Sequence, residues 1–167
     1  MEMIIHPTFF DHRGCYAPIE LRAMDMEWTQ CSISVNEKPF TFRGLHYQTN
    51  PPQRKYIKVV QGEIVDFAVD LKTGDVDFEK LTSGYAVYIP DDKAHGFLTL
   101  TPNTIVVYLV YGEYNPESEH SLVWSENKKV SKIVGAFVGD NEITISEKDL
   151  TGNFADLERY KRGRSKY

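Results

Sequence analysis

One short segment of the chain concentrates side chains that bind anions or transfer protons. The stretch TFRGLHYQ, residues 41–48, holds an arginine, a glycine, a histidine, a tyrosine and a glutamine within six positions. A neutral histidine is a suitable base near neutral pH, because its ordinary pKa of about 6.5 lies close to the working pH. Arginine binds phosphate oxygens with two parallel hydrogen bonds. The segment therefore predicts Arg43 as a ligand for substrate charge, Gly44 at a close backbone turn and His46 as a base.

A second histidine, His95, follows a turn in the segment PDDKAHGF, residues 90–97. A histidine near a strand end is often a core residue whose nitrogens are satisfied by hydrogen bonds, and this alternative applies to His46 and His95 alike. Two histidines at the expected mouth of one barrel, with Arg43 and Lys55 close in sequence, favour a binding site instead.

The residues after His46 do not predict a metal site. A metal centre here would need a second histidine two positions further on and a nearby carboxylate, but His46 is followed by Tyr47 and Gln48. We therefore predict no metal and no cofactor. One of these two side chains is expected to face the core and the other the pocket, and Gln48 is assigned to substrate binding.

Length and composition indicate one globular domain spanning residues 1–167. The chain has 41% hydrophobic residues, a net charge of −5 and two cysteines, Cys15 and Cys31. The charge argues against nucleic acid as the main partner, and the few cysteines indicate reduced thiols in a cytoplasmic protein. No signal peptide is recognisable at the N-terminus. The longest apolar run, Ile105–Tyr111, is too short to cross a membrane, so no membrane partner is expected.

Hydrophobic alternation predicts an antiparallel β protein. Runs rich in β-branched and aromatic residues, separated by turn residues at short spacing, occupy 30–36, 55–60, 63–71, 85–89 and 104–111. That pattern indicates a sandwich or barrel, most economically an all-β jelly roll. Helices are predicted over 20–26 and in the charged tail 150–166, with Ser146 as a helix N-cap and Asp149 at the third helical position.

Six segments, in order, resemble one enzyme family. They are FFDHRG (9–14), FRGLHYQ (42–48), KYIKVVQGEIVDFAVDL (55–71), IPDDKAHGFLTL (89–100), VYLVYGEYNPESE (107–119) and ISEKD (145–149). Together they are similar to the dTDP-4-dehydrorhamnose 3,5-epimerase family over about residues 8–150. The resemblance implies a cupin-like jelly-roll barrel without metal, a homodimer, and a nucleoside-diphosphate 4-keto-6-deoxy sugar as substrate.

The resemblance also implies residue roles. His46 matches the base, Tyr108 the acid, Asp149 the carboxylate paired with the base, and Lys55 the lysine near the sugar's carbonyl oxygen. The positions matched to the substrate site or its support are Arg13, Arg43, Gln48, His95, Tyr114 and Asp66. Asp66 is a buried acid for which a structural role, orienting a neighbour, is the favoured alternative.

Elementary chemistry agrees with these roles. A carbon beside a ketone is weakly acidic, and inverting it needs a base on one face and an acid on the other. A carboxylate at the second ring nitrogen of His46 fixes its tautomer and stabilises the imidazolium. The phenol of Tyr108, with an ordinary pKa of about 10, keeps its proton until a strongly basic carbanion forms. The enolate oxygen needs a cation, for which Lys55 is the best placed.

Departures from the family pattern leave the substrate open. Pro18 stands where the family usually has glutamate, the strand QCSISVN (30–36) replaces Gln-x-Asn-x-Ser-x-Ser, and the loop 72–85 is short. The nucleotide is therefore predicted as dTDP or GDP, with inversion at C3 alone or at C3 and C5. Two alternatives are a ketoisomerase, whose relatives carry a His-x-His motif absent here, and a non-catalytic sugar-binding module.

Overall fold

The computed structural model describes residues 1–5, 7–12, 14–19 and 27–152. The predicted substrate ligand Arg13 and the predicted helix over 20–26 lie outside this part of the chain. So does most of the predicted C-terminal helix, from residue 153 onward.

Antiparallel strands dominate the described residues, as predicted. The strands are β1 (Glu2–Ile5), β2 (Phe9–Asp11), β3 (Gly14–Tyr16), β4 (Gln30–Asn36), β5 (Phe42–Gln48), β6 (Arg54–Gln61), β7 (Glu63–Asp70), β8 (Val76–Thr82), β9 (Tyr85–Ile89), β10 (Lys93–Thr99), β11 (Thr104–Tyr111) and β12 (Glu119–Ser121). The helices are α1 (Lys128–Val138) and α2 (Glu147–Thr151), with 3-10 turns at Pro116–Ser118 and Trp124–Glu126.

Two five-stranded sheets form the body of the molecule. The first has the order β1-β9-β6-β11-β4 and the second the order β12-β5-β10-β7-β8, while β2 and β3 form a separate hairpin. The inner core lies between the sheets, where Ile57, Val87 and Val106 of the first meet Ile64 and Phe97 of the second. The all-β jelly-roll prediction is therefore confirmed.

Helix α1 covers the outer face of the second sheet. Its buried residues Val130, Val134 and Val138 recur every four positions, which places them on one face of the helix. They pack into a second core with residues such as Phe42 and Phe67. The sequence prediction did not include this helix, because its valines favour strands when they are considered alone.

Candidate active site

A cavity of about 450 Å³ opens between the two sheets. Most of the residues predicted for the site line it, namely Arg43, His46, Lys55, His95, Tyr108, Tyr114 and Asp149. The sequence prediction missed Glu119 and Lys148, which also line it. Both lie in the predicted motifs, Lys148 beside the assigned Asp149 and Glu119 five residues after the assigned Tyr114, so their charge and position were the available signals.

A bulge in β5 directs both Arg43 and His46 into the cavity. Residues three apart on a regular strand point to opposite faces. Here the pairing with β10 runs from Phe97↔Arg43 to His95↔His46, so β5 holds one extra residue and the alternation is reset. Gly44 lies at this point with φ of +112°, and a Cβ there would come 2.6 Å from the backbone of Gly96. Only glycine fits this close approach.

His46 and Asp149 form a short contact at the cavity wall. The His46 Nε2 and Asp149 Oδ1 atoms are 2.6 Å apart, and Asp149 Oδ2 accepts from the Gly44 backbone N–H at 3.2 Å. Asp149 belongs to the first turn of helix α2. The predicted N-cap Ser146 accepts a hydrogen bond from the Asp149 N–H and so fixes the start of this helix. Burial acts to raise the pKa of Asp149, but the hydrogen bonds and charge of His46 outweigh it and hold this pKa below its ordinary value.

Tyr108 lies on the other sheet. It belongs to β11 of the first sheet, whereas His46 belongs to β5 of the second, and both rings line the same cavity. Burial raises the pKa of Tyr108 to about 12, although a hydrogen bond with Ser34 and the charge of Arg43 act against the rise. The phenol therefore holds its proton throughout the neutral range.

Lys55 places a partly desolvated ammonium group in the cavity. Its Nζ donates to the His46 carbonyl oxygen at 3.5 Å. Burial lowers the pKa of Lys55 to about 8, while the negative charges of Glu119 and Asp66 act in the opposite direction. The group is therefore still mostly cationic at neutral pH.

A second histidine–carboxylate pair adjoins the cavity, and only its histidine, His95, is among the residues that line it. His95 Nε2 and Asp66 Oδ2 are 2.8 Å apart, and both side chains are buried. Burial raises the pKa of Asp66, with the charge and hydrogen bond of His95 opposing the rise. Asp66 lies behind His95 and does not line the cavity. The assignment of Asp66 to substrate contact is therefore corrected to support of His95, the alternative role considered above.

Gln48 is also placed differently from the prediction. Its side-chain amide donates to the carbonyl oxygens of Pro51 and Glu113 at 2.6 and 2.8 Å and accepts from the Asn115 N–H at 2.8 Å. It is buried outside the cavity, and Tyr47 packs in the outer core. Neither side chain faces the pocket. Gln48 instead anchors the loop that carries Tyr114.

A hydrogen bond with Asn36 positions the Arg43 side chain. Its Nε donates to the Asn36 side-chain oxygen at 2.7 Å, and the Asn36 amide donates in turn to Ser34 at 3.0 Å. The other guanidinium nitrogens form no hydrogen bond with the residues that the structure describes. Within the described residues there is no group of three or more histidine, cysteine or acidic residues suited to a metal ion, and no helix there is long and apolar enough to span a membrane.

The two packed sheets and the cavity between them place the chain among cupin-like jelly rolls. The model of one family, dTDP-4-dehydrorhamnose 3,5-epimerase, matches residues 3–156. The chain belongs to the dTDP-4-dehydrorhamnose 3,5-epimerase family, whose named members are isomerases.

Individual relatives carry the same description. A dTDP-4-dehydrorhamnose 3,5-epimerase of Neisseria gonorrhoeae is 40% identical over 98 residues, which is 54% of this chain but only 30% of that relative. The Shigella flexneri protein of the same name is 30% identical, with 95% of this chain and 93% of the relative aligned. Among solved structures, ChmJ, a 3'-monoepimerase from Streptomyces bikiniensis in complex with dTDP-quinovose, matches with a TM-score of 0.80 and 25% identity over 95% of this chain and 86% of that chain.

Proposed function

We propose that this chain is a cofactor-independent epimerase that inverts C3, or C3 and C5, of a nucleoside-diphosphate 4-keto-6-deoxy sugar. One observation carries the proposal: the His46–Asp149 pair and the Tyr108 phenol line one sugar-sized cavity from opposite sheets. An inversion needs a proton acceptor and a proton donor on the two faces of the same carbon.

The geometry supports a role for each group. The contact of His46 Nε2 with the Asp149 carboxylate favours the tautomer with hydrogen on Nε2, which leaves Nδ1 to take the proton from the carbon beside the ketone. The electron pair of the broken C–H bond moves onto the ketone oxygen as an enolate. The Lys55 ammonium stabilises that oxyanion. Tyr108 then gives its proton to the opposite face of the carbon, and the ketone re-forms.

The substrate's diphosphate would bind to cationic side chains. Asn36 positions Arg43 through its Nε, and the other guanidinium nitrogens are unbonded within the described part of the chain. A guanidinium group can form bidentate contacts with phosphate oxygens. The descriptions of the family and its relatives support dTDP as the nucleotide. GDP remains the alternative to be tested, since the strand β4 that lines the cavity departs from the usual family sequence. Arg13 is expected to assist, as the resemblance implies.

We also propose that the enzyme is a cytoplasmic homodimer of a single domain, residues 1–167, acting in deoxysugar and polysaccharide biosynthesis. Exposed aromatic residues on the β2–β3 hairpin support the dimer: Phe9, Phe10 and Tyr16 are 58%, 79% and 68% exposed. Apolar residues exposed to this degree on a hairpin indicate a surface that is covered in an assembly. Sedimentation velocity measures this directly, and a monomer at micromolar concentration would contradict it. The free, exposed thiols of Cys15 and Cys31 agree with a reducing compartment.

Solvent exchange tests the activity. The protein is incubated in heavy water with dTDP- and GDP-linked 4-keto-6-deoxy sugars, without metal or nicotinamide cofactor, and C3 and C5 are followed by NMR. We expect deuterium at C3, or at both carbons, with one nucleotide preferred. Exchange with neither sugar contradicts the proposal. Binding without exchange would instead support the sugar-binding module, and movement of the keto group along the ring would support the ketoisomerase.

A further inference from the structure

Helix α2 carries the carboxylate of the His46–Asp149 pair, but little within the helix fixes its position. It has five residues, Glu147–Thr151, and Asp149 is the only one of these five that is buried. A helix this short is not stable on its own in water, because it gains few hydrogen bonds for the residues that it orders. With no buried apolar residue of its own, α2 depends on the contacts made at its two ends.

The N-terminal end of α2 is anchored through the backbone of Thr144. This residue forms a parallel bridge with Thr41, just before β5. The Phe42 N–H donates to the Thr144 carbonyl oxygen at 2.8 Å, and the Thr144 N–H donates to the Phe40 carbonyl oxygen at 3.0 Å. Two residues later, Ser146 caps the helix. The chain therefore enters α2 from a fixed place beside β5.

Asp149 continues the hydrogen bonding along this side of β5. Two residues beyond Phe42, which bonds to Thr144, the Gly44 N–H donates to Asp149 Oδ2 at 3.2 Å. The other carboxylate oxygen contacts the His46 ring at 2.6 Å. Beyond Gly44 the same strand pairs with β12. Helix α2 therefore fills the space along β5 between Thr144 and β12, and its carboxylate takes the place of a strand partner.

The C-terminal end of α2 is anchored at Gly152, which packs against β12. A Cβ at this position would overlap the carbonyl oxygen and carbon of Ser121 and would lie 3.0 Å from the Ser121 Cβ. The obstacle is backbone, which cannot rotate away as the end of a side chain can. The backbone angles of Gly152, φ −70° and ψ 171°, are open to any residue, so glycine is required here for space alone. Ser121 is the cross-strand partner of His46, and the helix thus docks on the residue opposite the base.

We propose that Gly152 is a positioning residue of the active site: its close approach to β12 docks the end of α2 and so holds the Asp149 carboxylate against His46. The inference rests on the proposed function in assigning His46 as the base. One further contact joins α2 to β12, the ion pair of Lys148 with Glu119, in which the lysine is 59% exposed. Exposed ion pairs contribute little to stability, so the docking depends mainly on the glycine.

The test is the variant Gly152→Ala, with Gly135→Ala as the matched control. Gly135 lies in α1, and a Cβ there would meet no atom within 4 Å. In Gly152→Ala the end of α2 has to move away from β12, which withdraws the Asp149 carboxylate from His46. The fold should survive, because α2 buries no apolar residue, and thermal unfolding checks this.

Amide hydrogen exchange, followed by NMR, reports the docking without any substrate. In Gly152→Ala we expect the Gly44 N–H to exchange about tenfold faster than in the wild type, because it loses a hydrogen bond to a charged acceptor. The Phe42 N–H, which bonds to Thr144 at the other end of α2, should keep its protection. Both amides should behave as in the wild type in Gly135→Ala.

The ring nitrogens of His46 give a second readout without substrate. In nitrogen-15 spectra, with His46 assigned by its loss in His46→Asn, the neutral ring should be the Nε2–H tautomer in the wild type and a mixture of tautomers in Gly152→Ala. We expect kcat to fall about tenfold in this variant, since a misplacement of about 1 Å can cost up to about 10²-fold. Added to Asp149→Asn, the same change should lower kcat by less than about twofold, because the glycine acts through that carboxylate.

Three results would each overturn the inference. The first is wild-type exchange at Gly44 together with the wild-type tautomer of His46 in Gly152→Ala. The second is a full, additive loss of kcat when Gly152→Ala is combined with Asp149→Asn. The third is an unfolded Gly152→Ala protein, because the glycine would then support the whole fold. Failure of the wild type to exchange deuterium into a sugar would count against the proposed function alone, since the amide and ring measurements need no substrate.

Discussion

Two histidine–carboxylate pairs have their histidines side by side in the second sheet, and the pairs differ in access rather than in contact distance. The ring of His46 is 2.6 Å from Asp149 and that of His95 is 2.8 Å from Asp66. The two histidines are cross-strand partners on β5 and β10. The His46 side chain is 27% exposed to the cavity, whereas that of His95 is 5% exposed. A base needs room for a substrate, so the first pair suits proton transfer and the second suits support of the site.

The surroundings of the two carboxylates differ correspondingly. The Asp149 carboxylate accepts hydrogen bonds from the His46 ring and from the Gly44 N–H, and the Asp149 N–H donates to the Ser146 hydroxyl oxygen. Asp66 contacts His95 through one oxygen, and its Oδ1 has no hydrogen-bond partner among the described residues. Consequently the pKa of Asp149 is lowered despite burial, and burial raises that of Asp66. The number of donors around a buried carboxylate decides the direction.

The largest expected effect is the loss of turnover in His46→Asn. Removal of a general base typically costs about 10³-fold in rate, and the fold should survive because this ring borders a cavity. Deuterium exchange at the sugar measures turnover, and the thermal midpoint reports folding. His120→Asn is the matched control, since His120 stacks on Tyr47 away from the cavity. Wild-type exchange in His46→Asn would remove the distinction between the two histidine pairs.

The next effect concerns the buried pair and stability. In Asp66→Ala, His95 loses its partner inside the protein, so we expect the free energy of unfolding to fall by about 3 kcal/mol. Urea unfolding monitored by tryptophan fluorescence measures this change. Asp77→Ala is the control, because that carboxylate is 52% exposed and surface charge pairs contribute little. If both variants lose the same small amount, the buried pair has no special structural role.

Asp149→Asn should affect rate more than stability. The amide retains the shape of the side chain but cannot stabilise a charged imidazolium, so we expect kcat to fall about 10²-fold. KM should change little, because Asp149 contacts the base rather than the sugar. Steady-state kinetics separate the two constants, with Asp140→Asn at an exposed position as the control. An unchanged kcat would mean that His46 does not become charged during the reaction.

Local sequence patterns were sufficient for much of this arrangement. The strands 30–36, 85–89 and 104–111 end where the alternation predicted, since each has polar turn residues at its ends. The cap of α2 by Ser146 also follows from local rules, because the capping hydrogen bond spans three residues.

The features that depend on a partner strand were not predictable in the same way. Strand alternation alone places Arg43 and His46 on opposite faces, and only the pairing with β10 creates the bulge that brings them together. Gln48 has a donor and an acceptor that suit a ligand, but the loop at 113–115 takes both. The ion pair between Glu119 and Lys148 joins residues 29 apart in the chain, so it does not show in the local sequence. Tertiary contacts thus decided which polar residues face the cavity.

The smallest expected effect is a difference in sign between the two carboxylates as pH falls. Asp149 has a lowered pKa, so its contribution to stability is present at neutral pH and is lost as the pH falls through its folded-state pKa. The difference in free energy of unfolding between the wild type and Asp149→Asn should therefore shrink as the pH falls from 7 to 3, by about 1 kcal/mol or less.

Asp66 has a raised pKa, so its contribution to stability is present in acid and is lost as the pH rises. The free energy of unfolding of the wild type, relative to that of Asp66→Asn, should accordingly fall as the pH rises from 3 to 7. Urea midpoints at both pH values measure each difference, and equal trends in the two variants would show that the two carboxylates have the same electrostatic environment.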